Sequence, residues 1–133
     1  MTNGLKVGIR GQRSDVVTRE KTAEVHGSGL LPVYATPFMI GLMEQTCSES
    51  VLPYMDDGKG TVGTKVDIRH LSATVVGMGV RCESELIEIS GRQLTFSVKA
   101  YDDYGLIGEG LHERFVIDNE RFMEKAVKKV NKN

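Results

Sequence analysis

Three polar side chains, His70, Glu44 and Thr36, are of types that could carry chemistry. In the run KVDIRHLSAT, Val66, Ile68 and His70 share one face of a predicted strand, while Asp67 and Arg69 share the other. An imidazole on an otherwise apolar face titrates near neutral pH and can serve as a general base; the alternative is a structural histidine satisfied by backbone groups. Glu44 falls in the middle of a helix predicted over Thr36–Leu52, about 80° round the axis from Thr36 and at the border of the apolar arc. There it is either an edge carboxylate reaching water or a carboxylate in a partly dry cleft, its protonation and nucleophilicity tuned by the site. Thr36 is the predicted N-cap of that helix. A hydroxyl there also sits where backbone donors and the helix dipole favour negative charge, a place to hold a carbonyl oxygen or a developing oxyanion. Thr36 and Glu44 lie about 12 Å apart along the helix axis, so they can meet only through a substrate, through His70 or across a subunit interface.

The other reactive residue types have weaker cases. His26 belongs to a glycine-rich stretch, His26–Gly29, that reads as a surface loop. His112 faces away from Leu111 on its strand and reads as structural. Cys47 has no cationic neighbour in sequence and reads as packing rather than as a nucleophile. Neither Cys47 nor Cys82 belongs to a C-x-x-C pair, and both read as reduced thiols of a cytoplasmic protein. The three histidines are scattered and give no zinc spacing, and neither a phosphate loop nor a dinucleotide fingerprint occurs, so no metal and no cofactor are expected. A net charge of -1 gives no electrostatic case for nucleic acid or a membrane surface as partner. No stretch approaches the length of a membrane span, and the start MTNGLKVGIRGQ does not read as a signal peptide.

These side chains need a scaffold. The 133 residues read as one domain over 1–133, large enough to bury a core without disulfides or metals. The helix is introduced by Ala35-Thr36-Pro37 and stopped by Pro53, with Phe38, Met39, Leu42 and Met43 at helical spacing. Residues 14–25 read as a first strand, and after the helix the period switches to two. Thr61–Thr74, Met78–Ile89, Arg92–Asp102 and Leu106–Ile117 read as four more strands, punctuated by Gly77, Ser90-Gly91 and Asp103–Gly105. Leu94, Phe96, Val98 and Ala100 alternate with Thr95, Ser97 and Lys99; Ile107, Leu111, Phe115 and Ile117 form a second apolar series on the last strand. Asp118 can cap a short final helix carrying Phe122, Met123, Ala126, Val127 and Val130 on one side, and the end KKVNKN reads as a solvated, frayed tail. The class is α+β: one long helix against a five-stranded antiparallel sheet. One helix cannot cover both the faces and the edges of such a sheet, and dimerisation is a natural cover.

The runs YATPFMIGLMEQTCSESVLPY, TVGTKVDIRHLSATVVGM and LIGEGLHERFVID resemble the fluoroacetyl-CoA thioesterase-like branch of the hotdog thioesterases, over roughly residues 14–123. The resemblance implies the hotdog fold, hydrolysis of an acyl-CoA thioester, and a homodimer, or a tetramer built from it, with the active site at the interface. It also implies a catalytic threonine, glutamate and histidine, which fall here on Thr36, Glu44 and His70. Gly63 and Arg114 take the positions that surround the acyl group. Coenzyme A enters only as part of the substrate. Fluoroacetyl-specific enzymes of this branch place a phenylalanine lid in the loop before the helix; here that loop reads GSGLLPVYATP, with Leu30 and Leu31 in its place. The expected substrate is therefore a general short or medium acyl-CoA. Lys59, Lys65 and Arg69 are available to meet its phosphates, or form a solvated face. Two other functions compete. One is a binding protein that holds acyl-CoA without turnover, and intact Thr36, Glu44 and His70 argue against it. The other is a hotdog enoyl-CoA hydratase or dehydratase, whose usual Asp/His pair is not found here.

Overall fold

Alternation with a period of two builds the sheet, and its middle strand shows this best. In β4 (Gln93–Asp102), Leu94, Phe96, Val98 and Ala100 are all buried. β3 (Gly79–Ser90) and β5 (Gly105–Asp118) flank β4 as antiparallel neighbours through short turns, and β2 (Lys59–His70) then pairs with β5. The strand order is β1-β3-β4-β5-β2, so β1 and β2 are the edges. The computed structural model describes residues 4–131.

The first strand begins earlier than the 14–25 expected: β1 is Arg10–Val16, paired with β3. Residues 19–26 instead form a 3-10 turn, Arg19–Lys21, and a one-turn helix α1, Ala23–His26. The reason is local. The Thr22 hydroxyl accepts from the Val25 N–H and caps α1, a use of threonine that competes with strand formation. His26 therefore ends a helical turn rather than opening a loop; it is exposed, with its ring 5.1 Å from that of Phe38.

The long helix α2 spans Thr36–Val51 and lies on the inner face of the sheet. It buries Met39, Leu42, Met43, Thr46, Cys47 and Val51, one stripe at helical spacing, against Leu86, Leu94, Phe96 and Val98. The Leu52-Pro53-Tyr54 turn ends it. At its other end the helix comes close to the sheet because β5 offers Gly108. A methyl group there would lie 2.6 Å from both Sδ and Cε of Met39 and 2.9 Å from the Arg69 carbonyl oxygen.

The N-cap is Ala35, not Thr36. The Ala35 carbonyl accepts from the N–H groups of Phe38 (3.0 Å) and Met39 (3.2 Å), which are the donors a Thr36 cap would have taken. Thr36 becomes the first helical residue and its hydroxyl is left free for other work. The final helix α3, Asn119–Val130, is capped as expected by the Asp118 carboxylate, which accepts from the Arg121 N–H at 3.1 Å. Lys128–Val130 belong to this helix, not to a frayed tail; residues 132–133 lie outside the described residues. No helix among the described residues is long and apolar enough to cross a membrane.

Candidate active site

The predicted site residues fall into two groups, one at each half of α2. The first joins Thr36 to His70. The Thr36 Oγ1 lies 2.7 Å from His70 Nδ1, the strand β2 ending where the helix begins. His70 stands on the inner face of β2, opposite Gly108, with its ring edge-on to Tyr34 at 6.5 Å. Burial holds its pKa below the ordinary histidine value, and the backbone of Ser72, which favours the charged ring, opposes this only in part. A neutral His70 can accept the Thr36 proton at Nδ1, and its second nitrogen then carries a hydrogen. That second nitrogen, Nε2, is buried and has no hydrogen-bond partner among the described residues.

The second group surrounds Glu44. Its half-exposed carboxylate lies 3.8 Å from Arg114 Nη1 and 3.9 Å from His112 Nε2, ionic rather than hydrogen-bond distances. Arg114 is itself held firmly. Its Nε donates to Thr61 Oγ1 at 2.8 Å, its Nη2 to the Thr61 carbonyl at 2.9 Å, and its Nη1 to His112 Nε2 at 3.1 Å. The Lys65 carbonyl, 2.8 Å from His112 Nδ1, can only accept, so the His112 proton sits on Nδ1. The guanidinium can only donate, so Nε2 of His112 accepts. Burial, with Arg114 adding to it, keeps the His112 pKa low and this neutral tautomer in place. Burial likewise pulls the Arg114 pKa down, and the Glu44 carboxylate acts in the opposite sense.

Gly63 completes this group, and any larger residue would displace the Glu44 carboxylate. A side chain there would collide with Glu44 Oε2 and stand 3.2 Å from His112 Cε1 and 3.4 Å from Arg114 Nη1. The strand itself is adapted. Gly63 and His70 are an odd number of residues apart and would face opposite ways on a regular strand. A bulge between Gly63 and Lys65 adds one residue, so that Gly63, paired with Arg114, and His70, paired with Gly108, both face inward.

His112 is the site residue that sequence reasoning passed over as structural. The signal was the spacing of His112 and Arg114, two apart in H-E-R-F and so on one strand face. Leu111 and Phe115 had seemed the inward set, but both are partly exposed on the outer face, while His112, Arg114 and Val116 are buried. Leu30 and Leu31 approach neither group: at 91% and 65% relative exposure they stand in solvent in the protomer. Cys47 and Cys82 are free, buried thiols, pushed up to about 12 and about 11 by burial, and take no part.

A long helix on the inner face of a five-stranded antiparallel sheet, with a hydroxyl–imidazole pair and a carboxylate along it, fits the class that the resemblance implied, a thioesterase of the hotdog fold. Comparison with known proteins narrows the class. The family model for fluoroacetyl-CoA-specific thioesterases matches residues 17–120. A fluoroacetyl-CoA thioesterase of Streptantibioticus cattleyicolor is 38% identical over 135 residues, covering 97% of this chain and 97% of its own length. A solved structure of a fluoroacetyl-CoA thioesterase superposes with a TM-score of 0.89 at 38% identity, covering 96% of this chain and 98% of that one. A thioesterase superfamily member from Thermus thermophilus does so with a TM-score of 0.86 at 30% identity, covering 95% and 93%. The chain is a thioesterase and belongs to the fluoroacetyl-CoA-specific thioesterase family.

Proposed function

We propose that this chain hydrolyses short acyl-CoA thioesters, with Thr36, His70 and Glu44 as the catalytic residues of a site completed by a second copy of the chain. Acyl-CoA hydrolysis follows from the family. The acyl length is supported by a related enzyme, one of whose threonine variants is solved in complex with acetyl-CoA and another with fluoroacetate. Leu30 and Leu31, exposed in their own protomer, reach an acyl group only if a second copy packs against their loop; there they offer apolar volume rather than an aromatic face, so discrimination follows acyl size and stays modest, at roughly 1–3 kcal/mol per methylene.

The observation that carries the mechanism is the 2.7 Å contact between Thr36 and His70, together with the buried, unpartnered Nε2 of His70. A base that takes the Thr36 proton needs an acceptor behind it. Glu44 is that acceptor by type, but in its own chain it lies about 12 Å along the helix axis from Thr36. Glu44 of the partner subunit supplies the missing carboxylate. Gly63 and Arg114 line the acyl pocket, the remaining Arg114 N–H groups facing the carbonyl or its substituent. The reaction then follows one of two routes: Thr36 attacks the thioester carbonyl with His70 as base, or His70 activates water while Thr36 holds the oxygen.

Complementation tests this. Thr36→Ala and Glu44→Ala chains, each inactive alone, are unfolded together and refolded as a mixture. Random pairing places one intact site in half of the dimers, restoring about a quarter of wild-type activity. No recovery from the mixture would place all three residues in one chain and defeat the composite site.

A further inference from the structure

Arg114 and Glu44 are opposite charges that stop short of each other. The guanidinium Nη1 lies 3.8 Å from Glu44 Oε2, an ionic contact but not a hydrogen bond. A guanidinium beside a carboxylate frequently closes into a direct, bidentate pair. Three contacts hold Arg114 back from this. Its Nε and Nη2 are spent on the side chain and the carbonyl of Thr61, which fix the plane of the group. Its Nη1, the nitrogen next to Glu44, donates instead to the uncharged His112 Nε2 at 3.1 Å. The imidazole cannot swing aside to follow. The Lys65 carbonyl holds Nδ1 at 2.8 Å, the Phe96 ring lies 6.5 Å away at a 31° tilt, and the residue is buried. Among the described residues no hydrogen bond reaches the half-exposed Glu44 carboxylate.

We propose that His112 is a positioning residue that keeps Arg114 off Glu44: it takes the Nη1 hydrogen for which the carboxylate would otherwise compete, and leaves Glu44 held by charge with its lone pairs free. The assignment rests on the reading of Glu44 as a catalytic carboxylate and deepens it. A carboxylate that accepts N–H bonds is stabilised in its charged form and is a poorer partner for a proton on an imidazole. One held at ionic distance keeps the field of Arg114, yet can turn towards the His70 of a second copy. Without an acceptor at Nε2 of residue 112, a buried N–H of Arg114 is left unpaired, and the nearest oxygen able to satisfy it is Glu44 Oε2. The carboxylate is then drawn into a direct pair and lost to the reaction.

Two amide variants separate the two nitrogens of His112. The asparagine amide reaches the place of Nδ1 and the glutamine amide that of Nε2. His112→Asn therefore keeps a donor for the Lys65 carbonyl and drops the acceptor for Arg114, whereas His112→Gln keeps the acceptor. Both are made in the full chain and compared with wild type and Glu44→Ala, by kcat and KM on acetyl-CoA and by crystal structure. In His112→Asn the Nη1–Oε2 gap is expected to close to below about 3.2 Å, with kcat reduced about tenfold or more and KM within about threefold. In His112→Gln the gap stays open and kcat recovers to within about threefold of wild type. A folded His112→Asn with wild-type kcat, or one that loses kcat with the gap unchanged, overturns the assignment. So does a folded His112→Gln that loses kcat, which decides the matter even where asparagine prevents folding. The ¹⁵N spectrum of the wild-type imidazoles gives a readout without any variant: His112 should carry its hydrogen on Nδ1, and a hydrogen on Nε2 at neutral pH would overturn the proposal. Glu44→Ala keeps the two readings apart. If it is inactive while His112→Asn is fully active, the positioning role alone fails. If it keeps full activity, the catalytic reading of Glu44 falls, and the role of His112 with it.

Discussion

The two histidines of the site differ both in burial and in use: His112 is buried, His70 half-buried. His112 is locked as an acceptor for Arg114 by the Lys65 carbonyl behind it, whereas His70 has one nitrogen on a reactive hydroxyl and the other unpartnered. Both have pKa values held below the ordinary one by burial. A folded-state value below the unfolded one means that the unfolded chain binds more protons in that window. The associated stability is therefore present above about pH 6.5, the unfolded value, and is lost as pH falls through the folded values. Activity should follow the same direction, since only neutral His70 can take a proton. A profile of kcat/KM between pH 4.5 and 8 should rise to a plateau with a midpoint below about 6.5, and Tm should fall over the acid limb. A midpoint above 7, or a flat profile, would remove His70 as the base. Gly63 is the complementary case. An alanine methyl there meets the end of the flexible Glu44 side chain, with His112 and Arg114 close behind. Gly63→Ala should fold with a stability change under about 1 kcal/mol, yet lose about a hundredfold in kcat/KM because the carboxylate is displaced. Unchanged kinetics in the folded variant would show that the position of Glu44 does not matter.

At the scale of elements, the N-terminus of α2 is set by close approach to β5. Gly108→Ala places a methyl group against Met39 and the Arg69 carbonyl, and only the methionine can yield easily. The expected cost is about 1–3 kcal/mol of stability, the range for overpacking, with a larger loss of activity than of stability because Thr36 is carried away from His70. Denaturant unfolding and kcat measured on the same preparation would separate the two; a variant as active and stable as wild type would mean that the helix has slack. This placement was only partly legible in the residues. The extent of α2, the four later strands and the cap at Asp118 all follow from periodicity, prolines and turn glycines, signals written within a few neighbouring residues. His70 was legible because its strand is otherwise apolar on that face. The bulge at Gly63/Lys65 was not, since it depends on the register between two strands far apart in sequence. His112 was passed over, and Arg114 was named only through the resemblance, for a related reason: the inner face of β5 is polar where it meets Glu44, so hydrophobic alternation pointed to the other side. The free Thr36 hydroxyl depended on which of two adjacent residues caps the helix, a choice of one residue that propensity does not resolve.

For the whole molecule, the question is what covers the edge strand β2. β2 is a twelve-residue edge strand whose inner face carries Gly63, Val66 and His70, and that face is left partly open: Val66 is 41% exposed, Gly63 is exposed and His70 is half-buried. Beyond His70, Leu71, Val75 and Val76 are exposed, and the Val33–Val75 bridge ties them to the loop that carries Leu30 and Leu31. Apolar side chains gathered along an unpaired edge invite a second copy. Pairing β2 with β2 of another copy about a two-fold axis is isologous, each chain giving and receiving the same contacts. In the composite site proposed above, it would also bring the Glu44 end of one protomer towards the His70 end of the other. Val66→Lys places a charge at the centre of that edge while leaving the buried core of the protomer untouched. The expected outcome is a folded chain that sediments as a monomer at micromolar concentration, with native circular dichroism and activity reduced by at least about a hundredfold. A monomeric variant that keeps full kcat would mean that each protomer holds a complete site, and Glu44 would then have to reach His70 within its own chain.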